Sequence, residues 1–347
     1  MRTAGPEQKV YATGFPGLLR ELREEHDAVD YGLTVGLYSL LRAAGMRITY
    51  GEADVLSSHA LQLHYCIAQP ECAALSFYPP VDTLFKSLEI TWKEVTPSGP
   101  RTAFQVLKSW IDDGNIALAR MNEPLLIYGY KETAVETLML AARLDHRMTE
   151  IVLSTTQCDK EFWRYPLDEG NLLIKVEDAP QTIPELTELT KSAARRAASV
   201  WHASNLAGCP TGEDAYEAFS KDLKDGTVSF TESIGVMWLG RRLWSQWLAR
   251  TSSHHFFLRV APRFGGEERA AVSKAGFCYG QCADSWKRFD RLLGPTWDYH
   301  KFGFMDEFPS SYLERWEDRD LRLRAARWVD EAASWEGKAV KELVKII

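Results

Sequence analysis

The spacing of apolar residues predicts two halves of different architecture. In the segment 33–44, Leu33, Leu37 and Leu41 are four residues apart, which puts their side chains on one face of a helix and predicts that this face is buried. Short apolar runs bounded by polar turns predict strands over 90–95, 116–120, 125–130, 137–141, 151–155 and 172–176. After residue 180 the apolar spacing is almost wholly helical.

Capping and turn residues set the expected ends of these elements. Thr102 is predicted to cap a helix that stops at Gly114, and the two strands that follow are expected to form a hairpin. Pro184 suits the first turn of a helix that continues to about Asn205, because no amide hydrogen is needed there. Further helices are predicted over 212–224, 235–250, 267–293 and 310–347.

Helices followed by a mostly antiparallel set of strands indicate the α+β class. We therefore predict an α+β domain over residues 1–180 and an all-helical domain over residues 181–347. A chain of 347 residues, of which 45% are hydrophobic and 26% charged, has room for two such cores.

Charge and cysteine usage narrow the functional classes. The formal net charge of -7 argues against a nucleic-acid partner, since a general binder would show a basic face. No run approaches the roughly 18 apolar residues of a membrane span, and residues 1–30 lack a secretory pattern, so we expect no membrane partner and a cytoplasmic location. The six cysteines are scattered, which favours free thiols. Cys278 and Cys282 are one helical turn apart without a second pair, so we predict no metal and no cofactor.

Several short motifs carry a family resemblance. They are Asp30-Tyr31-Gly32 before a helix, Ser57-Ser58-His59-Ala60-Leu61, the helix before Gly114, Ile127-Tyr128-Gly129-Tyr130-Lys131-Glu132, and the later run from Gly212 to Leu223. Together they resemble the bacteriocin-processing type of papain-like cysteine peptidase, and more narrowly its non-peptidase branch, which includes butirosin biosynthesis protein H. The resemblance implies a papain-like α+β domain with a mostly antiparallel sheet and a ligand cleft.

The chain departs from this family at the positions that carry its chemistry. Tyr31 stands where the resemblance implies the nucleophilic cysteine, no histidine precedes Gly129, and Lys131 replaces an acidic residue. A cysteine-histidine mechanism needs the nucleophile and the base within hydrogen-bonding reach. We therefore expect a pseudoenzyme with respect to peptidase activity, with the cleft retained.

The remaining candidates each have a structural alternative. Tyr31, Cys66 and His59 are the catalytic candidates, although a tyrosine is often a half-buried aromatic and a lone cysteine is often a small hydrophobe. The predicted ligand-binding residues are Asp30, Tyr31, Thr34, Ser58, His59, Tyr130 and Lys131. His254 and His255 are expected in a loop between helices. Arg241, Arg242, Trp244, Trp247 and Arg250 indicate either an anion-binding helix face or an interdomain contact.

Three functions are compatible with this sequence. The first is recognition of a peptide, an amide-bearing metabolite or a carrier-bound acyl group in a biosynthetic pathway. The second is an active acyltransferase, aminoacyltransferase or amide-processing enzyme that uses nonstandard residues. The third is a structural partner protein. The expected partners are accordingly a small molecule, a peptide or an acyl carrier protein, with a homodimer also open.

Overall fold

The protein divides into two compact units. The computed structural model describes residues 8–12, 15–24, 33–65, 78–120, 124–144, 148–162, 171–226, 233–293 and 317–347. The first unit, here called the sheet unit, is 1–53 with 84–184, and the second, the helical unit, is 54–83 with 185–347. The segment 54–83, which sequence analysis assigned to the first domain, thus belongs to the helical unit. The reason is long-range hydrogen bonding, since Ser253 and Arg250 donate to the backbone oxygens of Ala60 and Gln62.

The elements of the first half follow in chain order, the division between units falling within α3 and within α4. They are β1 (Gln8–Tyr11), α1 (Phe15–Glu24), α2 (Leu33–Ala43), α3 (Tyr50–Leu56), a 3-10 turn (His59–Leu61), α4 (Pro80–Ser87), β2 (Thr91–Val95), α5 (Pro100–Asp112), β3 (Ala117–Arg120), β4 (Leu125–Glu132), β5 (Thr137–Arg143), β6 (Glu150–Leu153), the one-turn α6 (Thr155–Gln157), a π turn (Cys158–Phe162) and β7 (Leu172–Asp178).

The second half is helical apart from one small hairpin. Its elements are α7 (Leu186–Trp201), β8 (Asn205–Leu206), β9 (Cys209–Pro210), α8 (Glu213–Asp225), α9 (Ser233–Val260), a 3-10 turn (Ala261–Arg263), α10 (Gly266–Leu293), α11 (Arg319–Leu343) and a 3-10 turn (Val344–Ile346). None of the helices within the described ranges combines the length and apolar character of a membrane span.

The main sheet has seven strands in the order β2-β7-β3-β4-β5-β6, with β1 beside β4. Every pair is antiparallel. The mixed α+β class is therefore confirmed, and the six strands predicted from the sequence lie within a few residues of their expected positions. The four-residue β1 was not predicted, and Gly129 lies inside β4 rather than at its end.

Helices cover both faces of this sheet. Leu118 faces α2, where its methyl groups lie close against Gly36. Lys175 follows the β7 residue that pairs with Leu118, so its side chain points to the opposite face, where its Nζ lies 5.6 Å from the ring centroid of Trp110 in α5. Burial on two sides explains why β4 is buried without interruption from Leu125 to Tyr130.

Two local predictions about helices were wrong. Thr102 does not cap α5, because the helix already begins at Pro100, which follows Gly99. His254 and His255 are not in a loop, because α9 continues to Val260. The His254 imidazole contacts the Gly276 carbonyl oxygen of α10 through Nδ1 at 2.8 Å, a tertiary contact that sequence spacing does not reveal.

The core of the helical unit encloses an ion pair. Arg250 and Glu336 are 0% and 4% exposed at their side chains and lie 2.8 Å apart. Tyr216 donates a hydrogen bond to the same carboxylate, and Gln246 accepts one from the guanidinium. Arg250 is therefore neither an anion-binding surface residue nor an interdomain contact. The Glu336 carboxylate opposes the effect of burial and raises the pKa of Arg250, so the guanidinium stays charged.

Gly212 marks a backbone position that only glycine suits. Its φ is 59°, and an added Cβ would lie 2.3 Å from the Val200 carbonyl oxygen. We expect Gly212→Ala to lower the free energy of unfolding by at least about 2 kcal/mol, measured by urea denaturation, because strain and overlap add. Gly208→Ala is the matched control, since φ there is 85° but no atom lies within 4 Å. Equal losses in the two variants would contradict the close approach.

Candidate functional site

A histidine-aspartate pair follows the end of α3. The Nδ1 atom of His59 lies 2.7 Å from Oδ1 of Asp54, whose side chain is 1% exposed, whereas that of His59 is 39% exposed. A carboxylate accepts hydrogen bonds and donates none, so Nδ1 carries the proton and Nε2 is the basic nitrogen. A buried carboxylate that orients a partly exposed imidazole is the arrangement of a general base.

The backbone between the two residues is held in an uncommon conformation. Ser58 has φ of 67° and ψ of 4°, in the left-handed region that residues other than glycine seldom occupy. The Ser57 hydroxyl donates to the Asp54 carbonyl oxygen at 2.9 Å and accepts from the His59 amide at 3.3 Å. Strained residues of this kind cluster at functional sites, and here the strain turns His59 back toward Asp54.

Arg196 of α7 fixes the turn from the side. Its Nε donates to the Ser58 hydroxyl at 2.5 Å, and its second terminal nitrogen donates to the Leu56 carbonyl oxygen at 3.1 Å. Burial lowers the pKa of Arg196 to about 10, so the side chain is still a cation at neutral pH. We call the group of Asp54, Ser58, His59 and Arg196 the dyad site.

Sequence analysis found part of this site. It selected Ser58 and His59 but missed Asp54 and Arg196. The only local signal for Asp54 was its position five residues before His59 at the end of a short helix, and Arg196 is 138 residues from Ser58. One oxygen of Asp54, Oδ2, is buried without a hydrogen-bond partner in the part of the chain that the structure describes.

The other predicted site residues do not join the dyad site. Asp30, Tyr31 and Cys66 lie outside the described residues. Thr34 is buried in the first turn of α2, in the sheet unit. Lys131 lies on β4 opposite Lys9 of β1. The assignment of these positions to one ligand site stays a prediction.

Tyr130 has a local role in the sheet unit. Its hydroxyl donates to Oδ1 of Asp112 at 2.6 Å and accepts from Lys108 at 3.0 Å. Burial and the hydrogen bond to Asp112 raise its pKa, so the phenol stays protonated at neutral pH. The contact joins β4 to α5, on the sheet face opposite Thr34. Thr34 and Tyr130 therefore do not converge directly on one ligand.

His64 also has a structural role. Its Nδ1 lies 2.9 Å from the Thr211 hydroxyl and its Nε2 lies 3.4 Å from Oε1 of Gln62. The ring is 5% exposed, so it is a buried histidine with partners. Among the described residues, no cluster of three or more histidine, cysteine, aspartate or glutamate side chains could hold a metal ion.

The cysteines differ from expectation at one position. Cys209 is disulfide-bonded, whereas all six cysteines were expected to be free thiols. The described free cysteines are Cys158, Cys278 and Cys282, and all three are buried. Burial raises the pKa of the Cys158 thiol to about 12, so little thiolate forms at neutral pH and the residue is a poor nucleophile.

The disulfide can be assigned by peptide mapping. His64 pairs with Thr211 in an antiparallel bridge, and the Tyr65 amide donates to the Pro210 carbonyl oxygen. Counting this register one residue further pairs position 66 with position 209, so we expect a non-reducing digest to yield a peptide that links Cys66 to Cys209. A link to Cys72 would contradict the register argument. Because disulfides persist mainly in oxidising compartments, the redox state in cells also tests the cytoplasmic location.

The sequence was also compared with known proteins, and neither the protein families nor the curated proteins that were searched give a match.

Proposed function

We propose that the protein is an enzyme that transfers acyl groups, with His59 as the general base and Asp54 as the residue that orients it. The supporting observation is the 2.7 Å contact between a buried carboxylate and a partly exposed imidazole. Recognition alone would not require an imidazole whose tautomer is fixed in this way. The geometry therefore favours the enzyme among the three functions compatible with the sequence.

The proposed reaction needs no nucleophile from the protein. Nε2 of His59 takes the proton from an acceptor amine, alcohol or water as that acceptor forms a bond to the carbonyl carbon of an acyl thioester. The bond from this carbon to sulfur then breaks, and the departing thiolate receives the proton from the imidazolium. Asp54 stabilises the imidazolium that forms in between. With water as the acceptor the same steps give hydrolysis.

The family resemblance supports the same class of chemistry. A papain-like domain of the non-peptidase branch would act on amides or on acyl groups bound to a carrier, and we propose this fold for the sheet unit. The cytoplasm and a biosynthetic pathway belong to the same proposal. Tyr31 in place of a cysteine agrees with direct transfer, because a tyrosine hydroxyl of ordinary pKa near 10 is a poor nucleophile at neutral pH.

A thioester screen tests the proposal. The protein is incubated with N-acetylcysteamine thioesters of acyl groups and with a panel of amines, and release of the free thiol is followed before and after alkylation of the accessible thiols of the folded protein. We expect turnover that survives alkylation, because the dyad activates the acceptor directly. Complete loss of turnover on alkylation would indicate a cysteine nucleophile and overturn this mechanism.

A further inference from the structure

Arg196 carries a positive charge that no described carboxylate balances. The guanidinium is half-buried, and all three of its hydrogen bonds go to neutral oxygens: the Ser58 hydroxyl, the Leu56 carbonyl and the Ser192 hydroxyl. Tyr78 is the only titratable group of the described residues that acts electrostatically on it. Buried charges in proteins are usually paired, because removal from water is costly.

The guanidinium also has donors to spare. An arginine side chain has five N–H groups in a planar fork, and the three bonds to Ser58, Leu56 and Ser192 leave two of them without a described acceptor. These two belong one to each terminal nitrogen, since each terminal nitrogen makes a single bond. Such a pair matches the two oxygens of a carboxylate or a phosphate.

The position of this cation links it to the dyad site. Ser58 binds Arg196 through its hydroxyl, and the next residue is His59. A group bound by Arg196 would therefore lie close to the imidazole that we propose as the base.

We propose that Arg196 binds an anionic oxygen group of the substrate, a carboxylate or a phosphate, so that the dyad site selects acyl donors bearing such a group. This inference rests on the proposed function for its kinetic arm, but its binding arm does not. A purely structural clamp on the turn is the competing role, and substrate charge is the property that separates the two.

The kinetic arm uses thioesters that differ only in charge. Monothioesters of dicarboxylic acids from succinyl to adipoyl are each paired with the neutral acyl thioester of the same carbon number. We expect the folded protein to prefer at least one anionic member by about tenfold or more in kcat/KM, in line with a charge-assisted hydrogen-bonded pair. Arg196→Gln should remove this preference while changing turnover of the neutral partner about twofold or less.

Two variants serve as controls. Arg195→Gln removes the exposed neighbouring cation of α7 and should leave the preference intact, whereas Arg196→Lys should restore part of it. Equal losses for anionic and neutral donors in Arg196→Gln would show that the residue only holds the turn. Absence of any charge preference in the unaltered protein would overturn the inference even if the variant failed to fold.

The binding arm uses His59→Gln, which should bind without turnover. Calorimetric titration with adipate and with inorganic phosphate is expected to detect binding of at least one, weakened about tenfold or more when Arg196→Gln is added. The two titrants distinguish a carboxylate group from a phosphate group. Binding without turnover in the unaltered protein would reject the proposed enzyme and keep the anion site, whereas turnover without anion binding would reject the site alone.

Discussion

Asp54→Asn is expected to lower kcat/KM for acyl transfer by about 100-fold to 10,000-fold, the range that a positioned general base contributes. The asparagine amide can donate to Nδ1, which would leave the proton on Nε2 and remove the basic nitrogen from the substrate side. His59→Gln should give a loss of similar size. The measurement is the steady-state rate of thiol release from the best thioester of the screen.

The matched control for this prediction is His202→Gln, because His202 is an exposed histidine at the end of α7 in the same unit. It should retain nearly all of the activity. Because Asp54 and His59 act as one unit, the double variant should lose little more than either single variant. Independent, multiplying effects of the two substitutions would count against a shared role, as would full activity in Asp54→Asn.

The second large effect concerns stability. Arg250→Met is expected to reduce the free energy of unfolding by about 3–5 kcal/mol, because it leaves the Glu336 carboxylate buried without its cation. The added Glu336→Met substitution should recover much of the loss, since a well-packed apolar pair avoids the cost of removing charges from water. Urea unfolding followed by tryptophan fluorescence measures both, and Trp286, whose indole donates to Tyr216, lies beside the pair.

Lys224 provides the comparison for this prediction. It pairs with Asp330 at 2.9 Å, but the two side chains are 46% and 51% exposed. Water screens an exposed pair, so Lys224→Met should cost less than about 1 kcal/mol. A loss in Arg250→Met no larger than that in Lys224→Met would mean that the buried pair adds nothing to the stability of the helical unit.

Local spacing predicted most elements because neighbouring residues decide them. The predicted helix 267–293 matches α10 within one residue, and the predicted strand 125–130 lies within β4. In each segment the apolar period and the flanking turn residues agree with the final structure. The spacing did not predict β1, because a strand of four residues has too few positions to show a period, and it is held by pairing with residues 129–132 of β4.

Long-range contacts set the limits of what the sequence predicted about the site. His59 and Ser58 were chosen on a family resemblance, and the residues that give them a chemical role were not. Asp54 is close in sequence, but a backbone turn through a left-handed Ser58 brings it to His59. Arg196 reaches the same turn from α7, and no pattern within either segment records that meeting.

The sequence by itself determined the α+β class, the positions of most helices and strands, and the loss of the cysteine and histidine that the family resemblance implies. Only the tertiary structure decided that the segment 54–83 belongs to the helical unit, that Arg250 pairs with Glu336, and that Asp54, His59 and Arg196 share one site. The physical reason is range: apolar period and capping act over a few residues. Hydrogen bonds and ion pairs depend instead on atoms that the chain brings together after separations such as the 86 residues between Arg250 and Glu336.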